Sequence, residues 1–212
     1  MKIIKAGYEI LTVISEGGVE ELQHIEKIGR ACYKSEDKIT SDGESARKFV
    51  KMIIDRGHEA MIEHSSLSVK FTVDRGVSHE LVRHRIASFA QESTRYCNYS
   101  KDKFDNGISF IKPCFWETGS DAYVDWKSAM SIAESHYLDL ISKGATPQEA
   151  RSVLPNSTKT EITITANYRE WHNFFKLRTA KAAHPQMREV TIPLLAELKE
   201  KLPIVFDDII AE

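Results

Sequence analysis

The 212-residue sequence has little cysteine and no long apolar run, and each shortage excludes a class of protein. Its 3 cysteines form no C-x-x-C pair, which argues against a disulfide framework and a zinc ribbon. No apolar run approaches the roughly 20 residues of a membrane-spanning helix. The amino-terminal segment also lacks the apolar stretch and small-residue cleavage site of a signal peptide. We therefore expect a soluble, cytoplasmic protein without a membrane partner.

The sequence also lacks an excess of positive charge. Lys and Arg together number 29 and Asp and Glu 31, for a formal net charge of -2. A dedicated nucleic-acid binder normally carries a basic excess, so we expect no nucleic-acid partner. The absence of G-x-G-x-x-G and of G-x-x-x-x-G-K-[ST] excludes a Rossmann dinucleotide site and a P-loop. Any anionic ligand must therefore be held by a local cluster of cations.

Hydrophobic periodicity predicts a mixed α+β fold. No repeat, low-complexity tract or linker separates two cores, so we expect one domain over residues 1–212. Strands and helices do not alternate as βαβ units, which argues against a doubly wound parallel sheet. Pro193 is expected to bend or interrupt the last helix. The predicted strands are 8–14, 67–73 and 161–166, and the predicted helices are 19–28, 44–56, 77–86, 121–143, 147–154, 168–180 and 186–201.

The most unusual stretch runs from Arg83 to Tyr96, where three arginines and a histidine are mixed with hydroxyl and amide side chains. Arg83, His84 and Arg85 are consecutive, so on the predicted helix they point in different directions, and like charges this close need an anionic partner. A planar guanidinium binds a phosphate through two parallel hydrogen bonds. The stretch therefore predicts a nucleotide site. A solvated basic face and an RNA-binding module with flanking aromatic rings are the alternative interpretations.

Arg83-His84-Arg85, followed by seven residues and then Ser93, resembles the signature of flavin-dependent thymidylate synthases, the ThyX family. Residues 57–64 resemble the family's G-H-x-S/T-x-x-E-H segment, and segments 150–155 and 167–184 match in the same order. The resemblance therefore covers the chain from about residue 26 to its carboxyl terminus. The departures are Ala60 and Ala90 at positions that are commonly polar, Gln91 and Glu80 where some relatives have Glu and Gln, and two extra residues between Arg178 and His184.

The resemblance implies both an architecture and a reaction. The implied fold is a single α+β domain with an antiparallel sheet flanked by helices, assembled as a homotetramer whose sites are shared between subunits. The implied reaction is the reductive methylation of dUMP to dTMP. Methylenetetrahydrofolate supplies the carbon, FAD carries the hydride, NADPH is the reductant, and no protein nucleophile takes part.

The resemblance also implies roles for individual residues. Arg178 is the expected catalytic residue, because it would stabilise the ionised uracil. The FAD-binding residues would be His58, Ala60, Arg83, His84, Arg85, Gln91, Asn167, Arg169, Asn173 and His184. The dUMP-binding residues would be Glu80, Arg83, Gln91, Glu92, Ser93, Thr94, Arg95, Arg151 and Arg178.

Three other residues invite competing interpretations. His58 and His64 are six positions apart, which is not the i, i+4 spacing of a helical zinc pair, so no metal is expected. His64 alone fits a structural role and a site role equally well. Ser93 has no histidine beside it in the sequence to act as a base, so we do not expect it to be a nucleophile. We do not expect Cys97 to be one either, because the resemblance implies a chemistry that needs no protein nucleophile.

Overall fold

A computed structural model describes all 212 residues and shows a mixture of helices and strands, which confirms the α+β prediction. None of the helices is both long and apolar enough to cross a membrane. The helices are α1 Val19–Tyr33, α2 Glu44–Asp55, α3 Arg75–Leu81, α4 Asp121–Ser142, α5 Pro147–Ala150, α6 Tyr168–Arg178 and α7 Pro185–Lys201. The strands are β1 Lys2–Ile4, β2 Gly7–Ile10, β3 Ser66–Asp74, β4 Ala87–Gln91, β5 Ser109–Ile111 and β6 Lys159–Asn167.

Four of the strands form one sheet in the order β2-β3-β6-β4. β3 and β6 run antiparallel, because the backbone N–H of Tyr168 donates to Ser65 at one end and that of Arg75 donates to Thr158 at the other. The predicted antiparallel sheet is therefore confirmed. β1 and β5 form a separate parallel pair, with Lys2 opposite Ser109.

The chain divides into two compact units, and the assignment of one domain over residues 1–212 stays a prediction. Unit 1 consists of Met1–Tyr8, Lys70–Arg83 and Phe89–Thr163, and unit 2 of Glu9–Val69, His84–Ser88 and Ile164–Glu212. The core of unit 1 gathers buried aromatic residues of α4 around Phe110 of β5. In unit 2 the largest buried side chain is that of Trp171, which stacks on Phe175 and donates its indole N–H to the carbonyl of Leu67 at 3.0 Å.

The prediction of a helix over 77–86 is wrong at both ends. Asp74 caps α3 by accepting a hydrogen bond from the N–H of Val77 at 2.7 Å, so the helix begins at Arg75. It ends at Leu81, and the arginine-rich segment that follows is irregular before β4 begins. β4 was not predicted. The helical spacing of residues 82–86 therefore does not produce a helix, and the chain enters the sheet at Ala87.

Two other elements differ from their predictions. The first predicted strand is shorter and spans only Gly7–Ile10. α7 continues through Pro193, so the predicted interruption is wrong. Met187 and Val190 before the proline and Leu194 and Leu198 after it are all buried. This packing stabilises the helix against the hydrogen bond that proline removes.

Candidate functional site

The residues predicted to bind ligands fall into two sets, one in each unit of the chain. Each set is built from its own hydrogen-bonded scaffold. Unit 2 contains His58, Ala60, His84, Arg85, Asn167, Arg169, Asn173, Arg178 and His184. Unit 1 contains Glu80, Arg83, Gln91, Glu92, Ser93, Thr94, Arg95 and Arg151.

Helix α6 positions four of the nine unit 2 residues, Asn167 at its cap and Arg169, Asn173 and Arg178 within it. Its first turn is capped by Asn167, whose Oδ1 accepts a hydrogen bond from the N–H of Glu170 at 2.9 Å. The buried Trp171 anchors the opposite face of the helix on the carbonyl of Leu67. Asn173 follows one turn after Glu170 and places its side-chain amide 3.4 Å from both carboxylate oxygens of that residue. The cap and the anchor together fix the rotation of α6, and so the direction of its polar face.

A cavity of about 530 Å³ lies beside this polar face. Three predicted FAD-binding residues line it, together with a cluster of charges that the sequence analysis missed. Arg169 forms ion pairs there with Glu59 at 3.4 Å and with Glu63. The lining residues are Glu59, Glu63, Ile86, Asn167, Arg169, Glu170, His172, Asn173 and Lys176.

His84 connects this face of α6 to Arg178. Its ring is 5% exposed and packs edge-on against Phe174, with ring centroids 4.9 Å apart. Nδ1 lies 3.0 Å from Oε1 of Glu170, and Nε2 accepts a hydrogen bond from Nε of Arg178 at 3.0 Å. Glu170 is itself buried. Two residues predicted to bind different ligands, His84 and Arg178, therefore share one hydrogen-bonded chain.

The electrostatics of this chain favour a neutral imidazole. Burial lowers the pKa of His84, the hydrogen bond to Glu170 opposes that change, and the charge of Arg178 adds to the lowering. Since an arginine does not deprotonate, its Nε always donates, and Nε2 of His84 must keep its lone pair. The proton therefore resides on Nδ1, where the carboxylate of Glu170 accepts it.

The other unit 2 residues have contacts of their own. His58 is exposed, and its Nδ1 lies 3.1 Å from the hydroxyl of Tyr33. Ala60 is exposed in the short 3-10 helix Glu59–His64. His184 caps α7 by accepting a hydrogen bond from the N–H of Gln186 at 3.3 Å. Arg85 is exposed and forms no ion pair.

Gln91 and Glu92 are tied into the scaffold of unit 1. The side-chain amide of Gln91 donates to the hydroxyls of Ser78 at 2.9 Å and of Thr160 at 3.2 Å. Glu92 accepts a hydrogen bond from the hydroxyl of Tyr99 at 2.9 Å and pairs with Lys159 at 3.0 Å. Burial, followed by the nearby Glu92 charge, raises the pKa of Tyr99, so its hydroxyl remains a donor.

The three unit 1 arginines that are predicted to bind dUMP face water. Arg83, Arg95 and Arg151 are exposed, and none pairs with a carboxylate. Arg151 donates only to the hydroxyl of the buried Thr94, at 3.4 Å. Solvent-facing guanidiniums without carboxylate partners form a donor set suited to an anionic ligand.

Two further residues of this stretch are of interest. The hydroxyl of Ser93 accepts a hydrogen bond from the N–H of Arg95 at 3.3 Å, which holds the turn after β4. Glu80, near the end of α3, accepts a hydrogen bond at its carbonyl from the N–H of Arg83 at 3.2 Å. Both contacts fix the backbone on either side of β4.

Comparison with known proteins identifies the family. The family model described as thymidylate synthase complementing protein matches residues 18–204. A flavin-dependent thymidylate synthase from Corynebacterium aurimucosum is 32% identical over 205 residues, with 92% of this chain and 82% of the relative covered. One from Mycobacterium sp. strain KMS is 33% identical over 204 residues, with 87% and 78% covered.

A solved structure extends the likeness to the fold. The crystal structure of a UMP/dUMP methylase, PolB from Streptomyces cacaoi bound with 5-Br dUMP, aligns with a TM-score of 0.78. The alignment covers 98% of this chain and 96% of that one at 21% sequence identity. The resemblance inferred from the arginine-rich signature is thus confirmed across most of the sequence, and the chain belongs to the family of flavin-dependent thymidylate synthases.

Proposed function

We propose that the protein converts dUMP to dTMP by reductive methylation, with methylenetetrahydrofolate as carbon donor, FAD as cofactor and NADPH as reductant. Beyond family membership, the observation that carries the proposal is the set of exposed guanidiniums without carboxylate partners, those of Arg83, Arg95 and Arg151. These side chains therefore suit a phosphate-bearing substrate.

The residues of unit 2 fit FAD. The cavity beside α6, at about 530 Å³, falls within the range of ligand pockets, and the amides of Asn167 and Asn173 offer both donors and acceptors to a flavin ring. The unpaired Arg85 provides a cation for a diphosphate. Bound by these residues, FAD would supply the hydride of the reaction. The full proposed set is His58, Ala60, Arg83, His84, Arg85, Gln91, Asn167, Arg169, Asn173 and His184.

Arg178 is the proposed catalytic residue. Its guanidinium would lie against the uracil and stabilise the negative charge that makes C5 nucleophilic, an interaction that strengthens when water is excluded. The phosphate and sugar of dUMP would be bound chiefly by the unit 1 arginines. The full proposed dUMP set is Glu80, Arg83, Gln91, Glu92, Ser93, Thr94, Arg95, Arg151 and Arg178.

The reaction as proposed needs no protein nucleophile. Burial, with a smaller contribution from Glu92, raises the pKa of Cys97, which disfavours its thiolate. The hydroxyl of Ser93 is engaged with the backbone of its own turn. We further propose a cytoplasmic homotetramer in which neighbouring subunits complete each site, a state that light scattering of the purified protein would measure.

The decisive experiment is the visible spectrum of the purified protein. We expect a flavin spectrum that NADPH bleaches under anaerobic conditions and that responds to dUMP. Addition of methylenetetrahydrofolate and dUMP should then yield dTMP. A colourless protein that gains no flavin spectrum on incubation with FAD, and that binds oligonucleotides with strong salt dependence, would contradict the proposal in favour of RNA binding.

A further inference from the structure

We infer that Glu170 is a positioning residue of this active site, which acts through His84 to fix the orientation of the Arg178 guanidinium. The inference rests on the proposed function and deepens it. Glu170 lies within the matched segment 167–184, but the sequence resemblance assigns it no role. It was found only because the fold brings it against the histidine of the signature.

The geometry makes the three side chains act as one unit. The two hydrogen bonds of His84, to Glu170 and from Arg178, are both 3.0 Å long. Each ring nitrogen has a partner, so the imidazole cannot rotate without breaking both bonds. The ring also packs edge-on against Phe174, a contact that it would lose in another rotamer.

Side-chain hydrogen bonds hold the backbone at both ends of this unit. The N–H of Glu170 donates to the capping side chain of Asn167, which fixes the first turn of α6. At the far end of the same helix, the carbonyl of Arg178 accepts a hydrogen bond from the hydroxyl of Thr191 at 2.9 Å. Anchoring Nε of Arg178 on His84 sets the plane of the guanidinium, because that group is rigid and planar.

Removing Glu170 would allow the imidazole of His84 to change its tautomer. A neutral imidazole without an acceptor for its Nδ1 proton can carry the proton on Nε2 instead, and that N–H would then oppose the N–H of Arg178. We expect Glu170→Ala to lower kcat by about 10- to 100-fold, the value of a hydrogen bond to a charged group. The dissociation constant of dUMP should change much less, because in the proposed site the unit 1 arginines bind its phosphate.

A double-mutant cycle tests whether Glu170 acts through His84. We expect Glu170→Ala to have no further effect on kcat once His84→Ala is present, since the intermediary is gone. If the two substitutions instead lower kcat by factors that multiply in the double variant, the inference is overturned. Glu170→Gln keeps an oxygen that accepts the Nδ1 proton, and Arg178 still excludes the other tautomer. This conservative variant should therefore recover activity to within about fivefold of wild type.

The pH profile of activity distinguishes a positioning role of Glu170 from a merely structural one. It also tests the inference if His84→Ala does not fold. Glu170 and Arg178 are the charged groups that face His84. Protonation of Nε2 removes the acceptor of Arg178, so activity should fall as the pH drops through the His84 pKa, below the usual 6.5. Without Glu170 the imidazolium loses its stabilising carboxylate, so the acid limb should move to lower pH in Glu170→Gln and Glu170→Ala.

Glu26→Gln is the matched control. Glu26 is also a fully buried carboxylate, paired with Arg30 at 2.7 Å and with Ser45 at 2.7 Å. We expect this variant to lower the thermal midpoint without moving the acid limb. An unmoved limb in the Glu170 variants would overturn the inference, whereas a wild-type protein that forms no dTMP would instead overturn the proposed function.

Discussion

The cluster of Glu92, Tyr99 and Lys159 provides a quantitative test of how the proposed dUMP-binding stretch is supported. Glu92 and Lys159 form a mostly buried pair, with side chains 12% and 18% exposed. The Tyr99 hydroxyl, on a residue 4% exposed, donates to the same carboxylate. The backbone N–H of Glu92 is also engaged, with the carbonyl of Glu161 at 2.8 Å. We therefore expect Glu92 to contribute to dUMP binding by positioning this stretch rather than through direct contact of its carboxylate.

Replacing Glu92 by alanine would leave a buried hydroxyl without an acceptor, which costs about 1–3 kcal/mol of unfolding free energy. Loss of the ion pair adds about 1 kcal/mol, because Lys159 keeps a second partner, Glu161, at 2.7 Å. The expected total is about 2–4 kcal/mol. Glu92→Gln retains an acceptor oxygen and should cost about 1–2 kcal/mol.

Urea unfolding followed by circular dichroism measures these values, and titration calorimetry measures dUMP binding. The control is Glu161→Gln, which removes the more exposed partner of Lys159 and should cost at most about 1 kcal/mol. Affinity for dUMP should stay within about threefold of wild type in Glu92→Gln. A Glu92→Ala variant as stable as the control would refute the energetic reasoning, and a large loss of dUMP affinity in Glu92→Gln would show that the carboxylate contacts the ligand.

Three further predictions concern single positions. Arg178→Lys loses the planar Nε–H and should lower kcat by about 100-fold while dUMP still binds, as steady-state kinetics and calorimetry would show. Gly29→Ala would place a methyl group 2.4 Å from the ring of Phe49, so we expect about 1–3 kcal/mol of destabilisation and a lower thermal midpoint. The Lys159 hydrogen bond lowers the pKa of Glu161 below 4.5, so its stabilisation is present above pH 4.5 and lost at lower pH; urea midpoints should fall more steeply there in wild type than in Glu161→Gln.

The local chemistry of the sequence predicted most of the long elements. Helical spacing found α1, α2, α4 and α6 within a few residues of their ends, because each buries one apolar stripe. Alternation found β3 and β6, which have one buried face each. The strands that alternation did not predict are short. β4 also follows an arginine-rich segment whose charged residues are spaced as on the surface of a helix.

Some features of the site depend on contacts that no local pattern encodes. His84 lies 86 residues before Glu170 and 94 before Arg178, and nothing in the spacing of these residues pairs them. From the sequence, Glu170 is expected only to be an acidic residue in the first turn of a capped helix, where it interacts favourably with the helix dipole.

By itself, the sequence determined the family, the α+β class and the set of cationic and amide side chains available for a phosphate and a flavin, because these follow from residue type and short-range spacing. Only the tertiary structure decided which guanidiniums remain unpaired and which are fixed. Burial and long-range hydrogen bonds assign each polar group its partner, and they form only after the chain has folded.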